Sequence, residues 1–359
     1  LDESLLLQLG FIMKAGILYN AKDIRIGEAP RPEIRPDEVL LESKAAGICG
    51  TDLHIYLGEF EDRVSYPAIQ GHEFGGVIVE VGADVDDYKV GDRVAVDPII
   101  SCHSCTPCLT GHINACQTLK ILGVDLDGGY GQYVAVPSSH LYLLPDSVSM
   151  THVPMVEIYA LGHHILQRGQ VQPGETVALL GAGKLGLSIL DVLCHSVSPG
   201  VTIVTDLQPF RLDTAKKLGA DETLNINEVD PVEKVLELTN GAGVDCVIEA
   251  VGHFHLPDGQ EAPLAQAVKM IRNGGRVVTT GLSEQLTAVH FKSLVLKEAQ
   301  IIASRVTCGE FPRAIQMMSR GLLHPELLIT DVWPLMDITA AFEQVEGENP
   351  ETIKIVLEI

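Results

Sequence analysis

The chain has 359 residues, 46% hydrophobic and 20% charged, which is enough apolar material for two cores and too much length for one ordinary domain. Its 25 Lys and Arg stand against 48 Asp and Glu, giving a formal net charge of −23 with no Lys/Arg run, which argues against a nucleic-acid partner. No apolar run reaches the roughly 18 residues needed to cross a bilayer, so a membrane is set aside too, and the expected partner is a small molecule met in the cytoplasm.

Residues 1–12, LDESLLLQLGFI, carry acids near the front and no cationic start or small-residue cleavage site, unlike a secretory signal. Met13 opens the first strand-like segment, so residues 1–12 read as an N-terminal extension. Residues 36–42, 88–96 (YKVGDRVAV) and 128–136 (GGYGQYVAV) read as short strands with Gly-punctuated turns, which makes the first 150 residues largely β. Among them lie GICGTDLH, residues 47–54, and GHEFGGVIVEVG, residues 71–82. Cys49 and His72 are a soft thiolate and an imidazole, a pair suited to zinc, set among glycines that let the backbone approach closely. Asp52 is a candidate acceptor for the His72 ring N–H.

SCHSCTPCLTGHINAC, residues 101–116, holds four of the eight cysteines. Cys102, Cys105, Cys108 and Cys116 follow C-x2-C-x2-C-x7-C, and four thiolates from one loop close a tetrahedral shell with no open position. The cluster therefore reads as a structural zinc site, with an iron–sulfur cluster as the competing occupant; the chemistry belongs elsewhere.

A βα rhythm begins after residue 157. TVALLGAGKLGLSILDVL, residues 176–193, is a strand, a glycine turn and an amphipathic helix, with Gly181, Gly183 and Gly186 in G-x-G-x-x-G spacing around Lys184 and Leu185. The next strand, VTIVTD, ends in Asp206 at the offset of a ribose-binding acid. Such a turn binds a dinucleotide pyrophosphate at the helix N-terminus, and Asp206 favours NAD over NADP, with Arg211 near enough to blunt that preference. Further βα units follow in AKKLGADETLNI, VDCVIEAVG and GGRVVTTGL, and Val251 and Gly281, at the ends of two of these runs, join the cofactor-binding set.

Taken in order, GICGTDLH, GHEFGGVIVEVG, VGDRV, the four-cysteine lobe, GAGKLG, AKKLGAD and the closing IKIVLEI resemble the zinc-dependent medium-chain alcohol dehydrogenase superfamily, in its polyol/sorbitol and threonine dehydrogenase-like branch, from Met13 to Ile359. The resemblance implies an α/β protein: a GroES-like catalytic domain over 13–157 with a structural zinc lobe at 101–117, a Rossmann NAD(P)-binding domain of doubly wound parallel sheet over 158–300, and a return to the catalytic domain over 301–359. It implies a catalytic zinc held by Cys49, His72 and Glu157, with Glu73 as a fourth or exchangeable ligand. Ile158 stands where those branches carry proline, and His163 and His164 are rival ligands. Thr51 and His54 become a proton relay. Arg305, in SRVTCGEFPRAI, becomes a substrate contact or an ion pair at the domain junction. KEAQIIAS, residues 297–304, becomes a subunit-interface strand of a homodimer or homotetramer. The implied reaction is hydride transfer from a secondary alcohol of a polyol, sugar or sugar acid to NAD. The alternatives are L-threonine 3-dehydrogenase and a non-catalytic cofactor-binding protein.

Overall fold

Residues 11–59, 63–252, 261–282, 286–347 and 349–359 are described by the computed structural model, so of the expected extension only Phe11 and Ile12 fall within them. The chain divides into two compact units. The first takes in the chain through Ile158, then Thr307–Gly321 and Ile329–Ile359; the second takes in Tyr159–Val306 and Leu322–Leu328.

The first unit is built from β1 (Ile12–Asn20), β2 (Asp23–Pro30), β3 (Glu38–Gly47), β4 (Ala68–Ile69), β5 (Glu73–Val81), β6 (Arg93–Val96), β7 (Ile99–Ile100), β8 (Lys120–Ile121), β9 (Tyr133–Pro137) and β10 (Leu141–Leu143). Two strands from late in the chain, β17 (Ile329–Pro334) and β18 (Lys354–Glu358), complete it, the intervening numbers belonging to the second unit. Its main sheet runs β10-β6-β5-β3-β18-β17, with β9 also pairing β3. β3 is the hub because the apolar and small residues of EVLLESKAAG can be covered on both faces, and Val39, Leu40, Leu41, Ala45 and Ala46 are all fully buried. Met13, Leu18, Leu41, Phe74, Ile78, Tyr130 and Phe342 lie in one core. Tyr130 meets Phe342 edge to face at 6.1 Å. Two helices matter for chemistry here, α1 (Gly50–Tyr56) and α2 (Thr106–Leu109), and a third, α3 (Met155–Arg168), begins in this unit.

The second unit holds a six-stranded, wholly parallel sheet of β11 (Thr176–Leu180), β12 (Val201–Asp206), β13 (Glu222–Asn225), β14 (Val244–Glu249), β15 (Ile271–Thr279) and β16 (Gln300–Ala303). Its order, β13-β12-β11-β14-β15-β16, reverses direction beside β11, which is the switch point where doubly wound sheets bind dinucleotides. The connecting helices are α4 (Lys184–Val192), α5 (Pro209–Lys217), α6 (Pro231–Leu238), α7 (Pro263–Met270) and α8 (Phe291–Lys297). The chain then contributes α9 (Phe311–Ser319), α10 (Pro325–Leu328) and α11 (Ile338–Glu346). Among the described residues no helix is long and apolar enough to cross a membrane.

Candidate active site

Sheet register gathers the first set of donors. Gly47 pairs with Glu73 on one side and with Val356 on the other, so the end of β3 and the start of β5 lie in one row with the middle of β18. Cys49 follows β3 by two residues, His72 directly precedes β5, and Lys354 opens β18. Cys49, His72 and Glu73 present ligand atoms that all lie within 4.8 Å of one another. Glu157, on the first turn of α3, is buried but its carboxylate is not part of that mutually close set. His163 and His164 are buried further along α3 and outside the cluster.

A sequence reading passed over Lys354. Its ammonium forms an ion pair with Glu73 Oε2, both side chains being fully buried, and donates to the Ile48 carbonyl at 3.1 Å. A Cβ on residue 47 would come within 2.4 Å of Glu73 Oε2 and 2.7 Å of Lys354 Nζ, so glycine there makes room for the pair. The available signal was a lysine set in an otherwise apolar strand, IKIVLEI.

Electrostatics around the cluster favour a cation. Burial opposes ionisation of Asp52, yet facing His72 and accepting the Cys49 N–H at 2.7 Å hold its carboxyl below the usual range. Burial opposes the charged form of His72 too, but Asp52 and Cys49 raise it well above the ordinary value. The His72 Nδ1 to Asp52 Oδ1 separation is 3.5 Å, an ion-pair distance longer than a good hydrogen bond. Burial, and then the neighbouring Glu73 carboxylate, push Glu157 up to about 7. Glu73 Oε1 and His72 Nδ1 are buried without hydrogen-bond partners. A cysteine sulfur, an imidazole and a carboxylate oxygen within 4.8 Å of one another, with orphaned polar atoms among them, suit a zinc ion.

Thr51 and His54 lie one helical turn apart on α1 and so share a face. His54 Nδ1 is 2.5 Å from Glu59 Oε2, a partner that sequence reading had not included.

The four cysteines of the lobe also converge within 4.8 Å. Cys105 Sγ lies 3.4 Å from Cys108 Sγ and 3.9 Å from Cys116 Sγ. Zinc–sulfur bonds of about 2.3 Å place tetrahedral sulfurs about 3.8 Å apart, so these spacings fit a single ion. Hydrogen bonds from Ser104 and from backbone N–H groups lower Cys102 to about 5, preparing a thiolate.

In the second unit the glycine turn joins β11 to α4. Gly181 takes φ +92°, and a Cβ on Gly186 would lie 1.9 Å from the Gly181 carbonyl oxygen, so the turn closes only with glycine at both. Gly183, the helix N-cap, has open space where a Cβ would stand, leaving its backbone accessible to a phosphate. Lys184 and Leu185 open α4. Asp206 ends β12 and accepts the Ala182 N–H at 2.7 Å and the Gln208 N–H at 2.8 Å, which fixes its carboxylate beside the turn. Arg211 lies on α5, with its Nε buried and unpaired. Val251 follows β14 and Gly281 follows β15. The buried Glu249, a further addition from the structure, ties these two loops together. It accepts the Val251 and Gly252 N–H groups at 2.8 Å each and the Thr279 hydroxyl at 2.8 Å. Arg305 is exposed just after β16, in the second unit and not the one that holds the zinc donors.

Comparison with known proteins agrees with this arrangement. Residues 35–146 match the family model for the alcohol dehydrogenase GroES-like domain, and residues 199–320 match that for zinc-binding dehydrogenases. Sorbitol dehydrogenase of Bacillus subtilis (strain 168) is 34% identical over 351 residues, 96% of this chain and 97% of its own. L-threonine 3-dehydrogenase of the same strain is 34% identical over 322 residues, 88% and 90% of the two chains. The crystal structure of the RspB alcohol dehydrogenase from Escherichia coli CFT073, complexed with NADH, superposes with a TM-score of 0.90 at 34% identity, covering 98% of this chain and 100% of that one. With a GroES-like unit, a Rossmann unit and two groups of side chains that could hold zinc, the chain belongs to the zinc-type medium-chain alcohol dehydrogenase superfamily, an oxidoreductase of the alcohol and polyol dehydrogenase kind that uses zinc and NAD(P).

Proposed function

We propose that the chain oxidises a secondary alcohol of a polyol, sugar or sugar acid and passes the hydride to NAD. The observation that carries this reading is the carboxylate content of the donor cluster: Glu73 converges with Cys49 and His72, and Glu157 is buried close enough to feel the Glu73 charge. The resemblance assigns a cysteine at the Glu157 position to the branch acting on simple alcohols, and a glutamate to the polyol and threonine branches.

In this reading Cys49, His72 and Glu157 hold the catalytic zinc, Glu73 exchanges with them, and Asp52 orients His72. Zinc bound there supplies the Lewis acidity that lets a substrate hydroxyl ionise near neutral pH, and the dinucleotide supplies the hydride acceptor. Thr51 accepts the hydroxyl proton, and His54, steadied by Glu59, delivers it to solvent. Asp206 accepts hydrogen bonds from ribose hydroxyls and repels a 2′-phosphate, which selects NAD. Arg305 recognises a neighbouring hydroxyl or carboxylate of the substrate.

The test is initial-rate oxidation by zinc-loaded protein across polyols, aldonates, L-threonine and short alcohols, with NAD and NADP in parallel. A polyhydroxylated substrate turned over fastest with NAD supports the reading. Preference for L-threonine transfers it to threonine 3-dehydrogenase, for which the 34% identical relative is the supporting observation. No turnover by folded, zinc-filled protein leaves cofactor binding without catalysis.

A further inference from the structure

Outside both zinc-ligating groups of the first unit, three side chains of the second converge on one point. Asp191 lies on α4. His195 lies on the π-helical turn Leu193–Val197 that extends α4. His324 directly precedes α10. Asp191 Oδ1 is 3.0 Å from Nδ1 of His195 and 3.0 Å from Nδ1 of His324. The two imidazole rings stand 4.7 Å apart between centroids. One ligand atom from each of the three residues lies within 4.8 Å of the other two.

We infer that Asp191, His195 and His324 form a binding site for a divalent transition-metal ion of the zinc type, separate from the catalytic and structural sites. Two imidazoles and a carboxylate are a common zinc donor set, and metal bonds of about 2.0–2.1 Å place tetrahedral donors about 3.3 Å apart. The observed 3.0 Å separations need to open only by a few tenths of an ångström.

The support behind the donors is what distinguishes this group from a chance cluster. The other carboxylate oxygen of Asp191 accepts the Tyr159 hydroxyl at 2.8 Å and the His324 N–H at 2.7 Å. Asp191 is fully buried, so Oδ1 is presented in a fixed direction, as outer hydrogen bonds present the ligands of metal sites. The histidine side chains are 32% and 33% exposed, which leaves the ion a path from solvent and a coordination position for water. A π-helical turn is an irregularity often found at functional sites, and here it sets His195 against Asp191, whose own carbonyl its Nδ1 also approaches at 2.8 Å. The ion displaces that contact and joins two segments 133 residues apart.

The test compares zinc uptake by zinc-loaded wild-type protein, His195→Ala and His324→Ala during dialysis against micromolar Zn²⁺. The readout is the difference between wild type and variants, which does not depend on how many ions the other sites hold. Wild type is expected to take up one zinc per chain more than either variant and to gain melting temperature as it does so, because an ion that binds only the native state stabilises it. Both variants change partly exposed residues, and unchanged dinucleotide binding verifies that their second unit is folded. Equal uptake in wild type and either variant overturns the site and leaves Asp191 as the centre of a hydrogen-bonded cluster only.

Discussion

Lys354 and Glu73 form an ion pair whose side chains are fully removed from water, in the strands beside Cys49 and His72. Removing one member of a buried pair strands the other and costs about 3–5 kcal/mol, whereas replacing both by apolar residues is close to neutral. Lys354→Met should therefore lower unfolding free energy by about 3 kcal/mol in urea titrations at neutral pH, and a loss below about 1 kcal/mol would show that the pair is energetically idle. Asp97, just past β6, gives a pH-dependent counterpart. Burial raises its carboxyl from an ordinary 3.8 to about 6, although it accepts the Ile99 N–H. A folded-state value above the unfolded one means that this group stabilises below about pH 4, and that its contribution is lost as pH rises through about 6. Asp97→Asn should match wild type at pH 4 and exceed it at pH 8 by up to about 3 kcal/mol; equal stability at both pH values would remove the effect. At this scale the sequence was legible where a residue type is rare and chemically marked. Cys49, His72 and the glycines stood out from their motifs, whereas Lys354, Glu59 and Glu249 owe their places to partners that no local pattern announces.

The four-cysteine lobe is thin as an element of structure. It has a four-residue helix, is flanked by a pair of two-residue strands, and leaves Leu109 73% exposed. Little apolar surface is available to hold it, so the metal must. Cys116→Ser should remove about one zinc per chain and expose residues 101–117 to limited proteolysis, with dinucleotide binding retained. A fully zinc-loaded, protease-resistant variant would show that the loop holds itself. The βα units of the second unit were readable from apolar runs ending in glycine, because each unit is local and its parallel neighbours repeat the same chemistry. The first unit was harder. β3 finds β18 about 300 residues later, and no window of sequence carries that pairing.

For the molecule as a whole, the parallel sheet of the second unit ends in β16, an edge strand with Ile301 40% exposed. Phe291, Val295 and Leu296 on the preceding α8 are 75%, 63% and 71% exposed. An unpaired edge beside apolar side chains invites pairing with another copy, as the resemblance of residues 297–304 implied. Light scattering should find a dimer or tetramer, and Ile301→Lys should shift it toward monomer. A monomeric wild type, or an unaffected variant, would count against this edge as the interface.

The position of β18 between β3 and β17 also orders events during synthesis. Cys49, His72 and Glu73 leave the ribosome nearly 300 residues ahead of Lys354, and the main stretch of the second unit, Tyr159–Val306, is made in between. The nascent chain can thus close its parallel sheet while the first sheet still lacks an internal strand and Glu73 lacks its counter-charge. Pairing of Glu73 with Lys354 is then a late step in the life of each chain, and a ribosome stalled short of residue 354 leaves a completed parallel sheet attached to an unfinished first unit.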